Sequence, residues 1–178
     1  GEGALAASRR AGYRRVELTS DFFQPGVRTK TLAALQSTGL EMPTIYTNAT
    51  LYETKVAEKS IADALALADT VKEIGAKWIL TNPSPKRERK TDDELNTQAN
   101  YLNKLGAELQ SHGMRLMVHH HTPELTENAR EWRHQLAHTD PKLVSCCVDV
   151  EWAVRGKQEP LAFLREVGSR LASLHLRN

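Results

Sequence analysis

Two hydrophobic periods alternate along the chain. Short apolar runs, such as Trp78–Leu80 and Leu116–Val118, are separated by longer segments whose apolar residues recur every three or four positions. The segment from Ile61 to Ile74 shows this longer period, which is typical of an amphipathic helix. Strands that alternate with helices predict βα units and a parallel sheet.

The same patterns set the expected bounds of each element. We predict helices over residues 4–11, 28–38, 54–74, 92–112, 126–138 and 159–168, and strands over residues 14–18, 42–46, 77–81, 114–120, 143–149 and 171–176. Four helix ends are followed by a glycine, the residue that most readily adopts the left-handed cap: Gly12, Gly39, Gly75 and Gly113. Thr91 and Glu94 have the spacing of a capping box at the start of helix 92–112.

Six strands leave two architectures open. A closed (β/α)8 barrel has eight strands and typically about 250 residues, so the chain fits a barrel that lacks its first and last strands. The alternative is an open, doubly wound sheet of six strands. No glycine-rich nucleotide-binding loop follows any predicted strand, which weakens the second alternative. In either case residues 1–178 are expected to form a single domain.

Composition narrows the classes of partner. The net charge of +2 over 178 residues gives little support for a nucleic-acid partner. No apolar run approaches the roughly 20 residues needed to cross a bilayer, so we expect no membrane partner. The basic segment 86–90 is interpreted as a solvated loop, with phosphate binding as the weaker alternative. Cys146 and Cys147 point to opposite faces of one strand, which disfavours a disulfide and favours a reducing, cytoplasmic location.

Polar residues of metal-ligand type end three successive buried strands. His119, His120 and His121 follow the first of these runs, Asp149 ends the second and His175 ends the third. In parallel α/β folds the carboxyl ends of the strands form the edge where binding sites are built.

The apolar residues decide which side chains share a face. If Leu116 and Val118 face the helices, His119 and His121 point into the barrel and His120 points away from it. The same rule applied to the other strands sends Glu17, Asp149, His175 and Arg177 to the interior. Carboxylate and imidazole groups together predict a divalent metal site for Mn, Co, Zn, Mg or Fe. The alternative is that these are ordinary polar residues at strand ends.

Four further residues are weaker candidates, each with an ordinary alternative. Glu124 is a candidate general acid or base, or a charge at the start of a helix. Asn82 lies where a loop would overhang the site, or serves only the turn. Trp152 is a candidate wall for a sugar pocket, or a core residue. Arg177 would neutralise an anionic group of the substrate, or remain a charge at the rim.

Four motifs resemble, in the correct order, those of the xylose-isomerase-like TIM-barrel superfamily. They are GYRRVEL at 12–18, HHHTPE at 119–124, DVEW at 149–152 and LHLRN at 174–178. This superfamily includes sugar-phosphate isomerases and epimerases, inosose dehydratases and relatives of endonuclease IV. The resemblance covers nearly the whole chain and implies a barrel fragment that runs from the first helix to the seventh strand.

The resemblance also implies roles. It assigns the metal to His119, Asp149 and His175, while the glutamate of the eighth strand has no counterpart. Because His119 stands where the epimerases have glutamate, Glu124 or His121 would have to transfer a proton. Glu17, Asn82, Trp152 and Arg177 are then expected to bind the substrate.

The implied activity is metal-dependent isomerisation or epimerisation of a sugar, keto-sugar or polyol through an enediolate. The alternatives are a lyase similar to inosose dehydratase, a metallohydrolase similar to endonuclease IV, and a non-catalytic incomplete barrel. Open sheet edges in such a barrel call for a covering partner, which makes a homo-oligomer an expectation.

Overall fold

The computed structural model describes residues 2–177. Gly1 and Asn178, the two ends of the predicted domain, lie outside the described residues. The strands are β1 (Arg15–Thr19), β2 (Glu41–Ala49), β3 (Trp78–Pro83), β4 (Arg115–Val118), β5 (Val144–Asp149) and β6 (Leu171–His175). The α-helices are α1 (Glu2–Arg10), α2 (Arg28–Thr38), α3 (Thr54–Lys72), α4 (Asp92–Ser111), α5 (Thr122–His138), α6 (Val150–Arg155) and α7 (Pro160–Val167).

All six strands are parallel and lie side by side in chain order, from β1 to β6. A doubly wound sheet would reverse its strand order at a switch point, and this sheet does not. The prediction of a partial (β/α)8 barrel is therefore confirmed. Parallel pairing also brings the carboxyl ends of the strands to one edge, where Asp149 lies beside His175.

The two faces of the sheet pack in two separate apolar clusters. Leu116, Val118 and Cys146 pack in the larger cluster, which lies between the strands and the helices. Met117 and Cys147 pack with a third buried residue in a small cluster on the opposite face. Neighbouring residues of one strand thus face opposite directions, as predicted. Both cysteines are buried and free.

Elements at the carboxyl edge of the sheet depart most from their predicted bounds. Strand β4 ends at Val118, before the histidines. Helix α5 begins at Thr122 rather than 126, and α6 was not predicted at all. Helix α5 is also interrupted at residues 126–129, where Glu127, Asn128 and Ala129 adopt positive φ values of 51°, 59° and 57°. The spacing of apolar residues carries no signal for a helix as short as α6 or for an interruption within a helix.

The basic segment 86–90 is not a wholly solvated loop, so that interpretation was wrong for its last residue. The ammonium of Lys90 is buried and donates to Glu131 Oε1 at 2.7 Å and to Gln98 Oε1 at 2.9 Å. Lys86 and Arg89 pair with Glu94 and with a carboxylate of α5. Among the described residues, no helix is long and apolar enough to cross a membrane.

Candidate metal centre

Three polar side chains converge where β4, β5 and β6 end. His119 Nε2 lies 3.0 Å from His175 Nδ1 and 3.6 Å from Asp149 Oδ2, and His175 Nδ1 lies 3.8 Å from the same carboxylate oxygen. His119 directly follows β4, whereas Asp149 and His175 are the last residues of their strands. The three donor atoms therefore form a compact triangle at the carboxyl edge of the sheet.

The triangle fits a divalent ion in both chemistry and size. Donors bound at about 2.1 Å to one ion lie roughly 3.0–3.5 Å apart, close to the separations observed here. Two imidazole nitrogens and one carboxylate oxygen suit Mn, Fe, Co or Zn, with Mg a weaker match. His119 and Asp149 are almost fully buried, at 2% and 1% exposure, so neither is an ordinary surface residue.

The two imidazoles differ in their affinity for a proton. Burial lowers the pKa of His119 to about 2, with a further contribution from the neighbouring His175, so its ring is neutral and offers a lone pair. The neighbouring Cys147 thiol and Glu17 carboxylate raise the pKa of His175 to about 10. A cation bound at His175 would therefore displace a proton, and its affinity would rise with pH.

Asp149 is held in place through both carboxylate oxygens. Its Oδ1 accepts a hydrogen bond from the Trp152 backbone N–H at 3.0 Å and so caps α6. Its Oδ2 accepts from Arg177 Nε at 3.0 Å. Arg177 also lies 3.2 Å from Glu151 Oε2, which gives its guanidinium an alternative carboxylate. The aspartate is thus oriented by the backbone and its charge is balanced by an arginine.

An open cavity of about 560 Å³ lies over the triangle. Six of the nine predicted site residues line it: Glu17, His119, His121, Asp149, His175 and Arg177. Burial lowers the pKa of His121, which favours the neutral form of this imidazole. Its ring meets those of His119 and Trp152 edge to face, with centroids 4.8 Å and 5.3 Å away.

The other three predicted site residues lie behind the cavity wall. Glu124 is completely buried, and its Oε2 accepts the His121 backbone N–H at 2.6 Å. Asn82 is buried at the end of β3 and donates to the Pro83 carbonyl. Trp152 contacts His121 and, through a cation–π contact at 4.8 Å, Arg177. Glu124 and Trp152 thus contact lining residues from behind, and the structure brings none of the three to the cavity surface.

Sequence reasoning did not single out Tyr46, although this residue also lines the cavity. Its ring packs edge to face on His119 at 5.7 Å, and burial raises its pKa to about 12. The available signal was its position, because Tyr46 ends the predicted strand 42–46. His120 points to the other side, as predicted, where it packs against Trp132 and Phe163.

Comparison of the chain with known proteins finds a matching family model and several similar proteins. A family model described as Xylose isomerase-like TIM barrel matches residues 5–178. An inosose dehydratase of Bacillus cereus (strain AH820) is 25% identical over 190 residues, a match that covers 99% of this chain and 63% of the relative. The chain therefore spans less than two thirds of the length of this curated relative.

Solved structures show the same fold. A sugar phosphate isomerase/epimerase from Parabacteroides distasonis ATCC 8503 superposes with a TM-score of 0.85 at 20% identity, covering 99% of this chain and 72% of that protein. An L-ribulose 3-epimerase superposes with a TM-score of 0.80 at 15% identity, covering 97% and 62%. At these identities the likeness establishes the barrel architecture and leaves the reaction open.

Proposed function

The chain belongs to the xylose isomerase-like TIM barrel family, and we propose that it is a divalent-metal-dependent isomerase or epimerase of a sugar, keto-sugar or polyol. In this proposal residues 1–178 form one domain that runs from the first helix to the seventh strand of the barrel. The two free, buried thiols are consistent with a cytoplasmic location.

One observation carries the proposal. His119 Nε2, Asp149 Oδ2 and His175 Nδ1 lie within 4.8 Å of one another beneath an open cavity that also exposes the neutral base His121. Three protein donors with an open side are the arrangement of a catalytic metal site. A bound divalent cation would polarise a carbonyl and its neighbouring hydroxyl, which acidifies the adjacent C–H.

His121 is the residue that we assign to proton transfer. It is not one of the three donors, it faces the cavity, and its lowered pKa keeps the ring ready to accept a proton. It would remove the proton from the hydroxyl-bearing carbon beside the carbonyl and return it to the former carbonyl carbon, while the hydroxyl proton passes to the former carbonyl oxygen. This single-base transfer suits isomerisation, because epimerisation needs a second donor on the other face of the substrate.

Glu124 is the weaker candidate for that second donor. Its pKa, raised to about 7 by burial, would suit an acid at neutral pH. However, one of its oxygens holds the His121 backbone, and the side chain has no exposure to the cavity. In our proposal Glu124 therefore orients the segment that carries His121, while Arg177 and Tyr46 contact the substrate at the cavity wall.

A lyase is the second candidate, and the curated relative favours it. The Bacillus cereus relative is named an inosose dehydratase. Dehydration of a cyclic keto-polyol begins with the same removal of a proton beside a carbonyl, followed by loss of a hydroxyl group. Both reactions can thus start from the same three donors and the same base.

Metal binding is the first test. After dialysis without chelator, elemental mass spectrometry should find about one equivalent of Mn, Co, Zn, Mg or Fe per chain. Asp149→Ala and His175→Ala should abolish tight binding, because each removes one of three donors. His138→Ala, on the exposed end of α5, and His120→Ala, on the helix side, should retain it. Equal metal content in all four variants would remove the site assignment.

Proton exchange tests the chemistry with a panel of candidate substrates. The metal-loaded protein is incubated in D2O with ketoses, aldoses and inososes, and deuterium incorporation is followed by NMR. We expect exchange beside a carbonyl, with a rate at least about 100-fold lower in His121→Ala. New sugar products support the isomerase, whereas an unsaturated or diketone product supports the lyase. Two or three zinc ions per chain and no exchange would favour a hydrolase.

A further inference from the structure

We infer that Glu17 is a positioning residue that sets the ring orientation of His175, an inference that rests on the proposed metal function. Glu17 Oε1 lies 3.2 Å from His175 Nε2, on the side of the ring away from the donor triangle. The other ring nitrogen, Nδ1, lies 3.0 Å from His119 Nε2 and 3.8 Å from Asp149 Oδ2. The two nitrogens of one imidazole therefore face two different partners.

The Glu17 contact decides which nitrogen can serve as a ligand. A neutral imidazole carries one N–H and one lone pair, and a carboxylate beside Nε2 holds the N–H at that position. The lone pair is then on Nδ1, where the triangle needs it. Ligating histidines typically donate their other N–H to a carboxylate or carbonyl, which fixes the ring and increases its basicity.

The orientation of the His175 ring depends on a hydrogen-bond partner more than that of the His119 ring does. The side chain of His175 is 30% exposed at the end of the edge strand β6, so packing restrains its ring only partly. His119 is 2% exposed and is held between the rings of His120 and Tyr46. Among the described residues, no hydrogen-bond partner reaches His119 Nδ1. Packing thus orients one imidazole and a carboxylate orients the other.

This role differs from direct substrate binding, the role expected of Glu17 from the sequence. Glu17 lines the cavity, so both roles place it near a bound sugar. A residue that only binds substrate would leave metal affinity unchanged when substrate is absent. A positioning residue would change metal affinity in the absence of any substrate, and an uncharged hydrogen-bond acceptor would largely replace it.

The test compares Glu17→Ala and Glu17→Gln with Glu41→Ala. Glu41 is a matched control, because its exposed carboxylate pairs with Arg15 at the start of β1, the strand that also carries Glu17. Mn²⁺ and Co²⁺ dissociation constants are measured by calorimetry without substrate. We expect Glu17→Ala to bind metal about 10–100-fold more weakly, since loss of such partners typically has this effect. Glu17→Gln should recover to within about 10-fold of the wild-type constant, and Glu41→Ala should match the wild type.

A second measurement determines which nitrogen of the His175 ring carries the proton. In long-range ¹H–¹⁵N spectra of the zinc-loaded protein, wild-type His175 should show the proton on Nε2, and Glu17→Ala should show a mixture of the two ring forms. If the wild type binds metal and Glu17→Ala binds it equally well, the inference is wrong and the proposed function stands. Equal loss in the Ala and Gln variants would also overturn it. A wild type that binds no metal overturns both.

Discussion

Three consecutive histidines occupy three different environments. His119 lies almost fully buried in the donor triangle, His120 packs against the aromatic rings of α5 and α7, and His121 lines the cavity. Because successive residues of an extended segment alternate in direction, one chain segment supplies the proposed ligand, a core contact and the proposed base. His120 also contributes to the site from behind, since its Nε2 accepts the Asp149 backbone N–H at 3.3 Å.

Glu124 makes fold stability depend on pH. Burial raises the pKa of its carboxyl from the ordinary 4.5 to about 7. The folded state therefore holds this proton more tightly than the unfolded state, so stability is greatest at low pH and falls as pH rises from 4.5 through 7. At about 1.4 kcal/mol per pKa unit, the loss amounts to roughly 3 kcal/mol above about pH 8.

Glu124→Gln should remove this dependence, because glutamine can still accept the His121 N–H but does not ionise. Urea unfolding of both proteins with EDTA, at about pH 5 and about pH 8, gives the two free energies of unfolding. We expect the wild type to lose roughly 2–3 kcal/mol relative to the variant between these pH values. A difference between the two proteins that does not change with pH would show that folding does not raise the pKa of Glu124.

Residue-scale prediction from sequence worked where alternation is regular and failed where local geometry intervenes. The apolar residues of β4 and β5 correctly placed His119 and Asp149 on one face. Glu124 was expected near the substrate, but the chain turns into α5 directly after His121. Its carboxylate then satisfies the first backbone N–H of that turn, and strand alternation carries no information on such a contact.

At the scale of elements, the interruption in α5 is the least ordinary feature. Glu127, Asn128 and Ala129 are successive left-handed residues, a conformation that costs roughly 1–2 kcal/mol for each non-glycine residue. Arg89 pairs with Glu127, and Arg133 donates to the Asn128 carbonyl oxygen. These contacts tie the interrupted segment to the basic segment 86–90 and to the following part of α5.

Substitution of Glu127 by glycine and by alanine tests whether this segment is left-handed. The sign of the difference in stability between the two variants depends on the backbone conformation. Glu127→Gly and Glu127→Ala both remove the exposed pair with Arg89, so their difference reports only the backbone. In a left-handed conformation the Gly variant should be more stable than the Ala variant by about 1 kcal/mol. In a continuous right-handed helix, glycine would instead be less stable by about 1 kcal/mol. Thermal unfolding of the two variants therefore distinguishes a broken helix from an unbroken one.

The start of a helix was predictable from the sequence where its capping residues have no other structural role. Thr91 and Glu94 form the predicted capping box, with the Glu94 N–H donating to Thr91 Oγ1 at 3.2 Å. Helix α6 was missed because Asp149 ends β5 and caps the next helix at once. Because Asp149 is both the last residue of β5 and the N-cap of α6, no turn residues separate the two elements in the sequence.

At the scale of the whole molecule, the site depends on the order of the sheet. The three donors come from the ends of β4, β5 and β6, and they meet only because these strands are parallel neighbours. Alternating strand and helix patterns predicted this arrangement, although such patterns specify no distances. The separations within the triangle follow from the register of the strands and from the Glu17 and Arg177 contacts, which the sequence pattern does not encode.

A site built from three strands links metal binding to global stability. An ion that binds the folded chain and not the unfolded chain stabilises it by about 2.7 kcal/mol at roughly 100 times its dissociation constant. For a chain of 178 residues this corresponds to a rise in Tm of roughly 5–10 °C. Calorimetry with increasing Mn²⁺ or Co²⁺ should show this rise, and EDTA should reverse it. Asp149→Ala should lose the shift and His138→Ala should keep it, because only Asp149 belongs to the triangle. The same shift in both variants would mean that the ion binds elsewhere, and the strand-end triangle would then be a structural polar cluster.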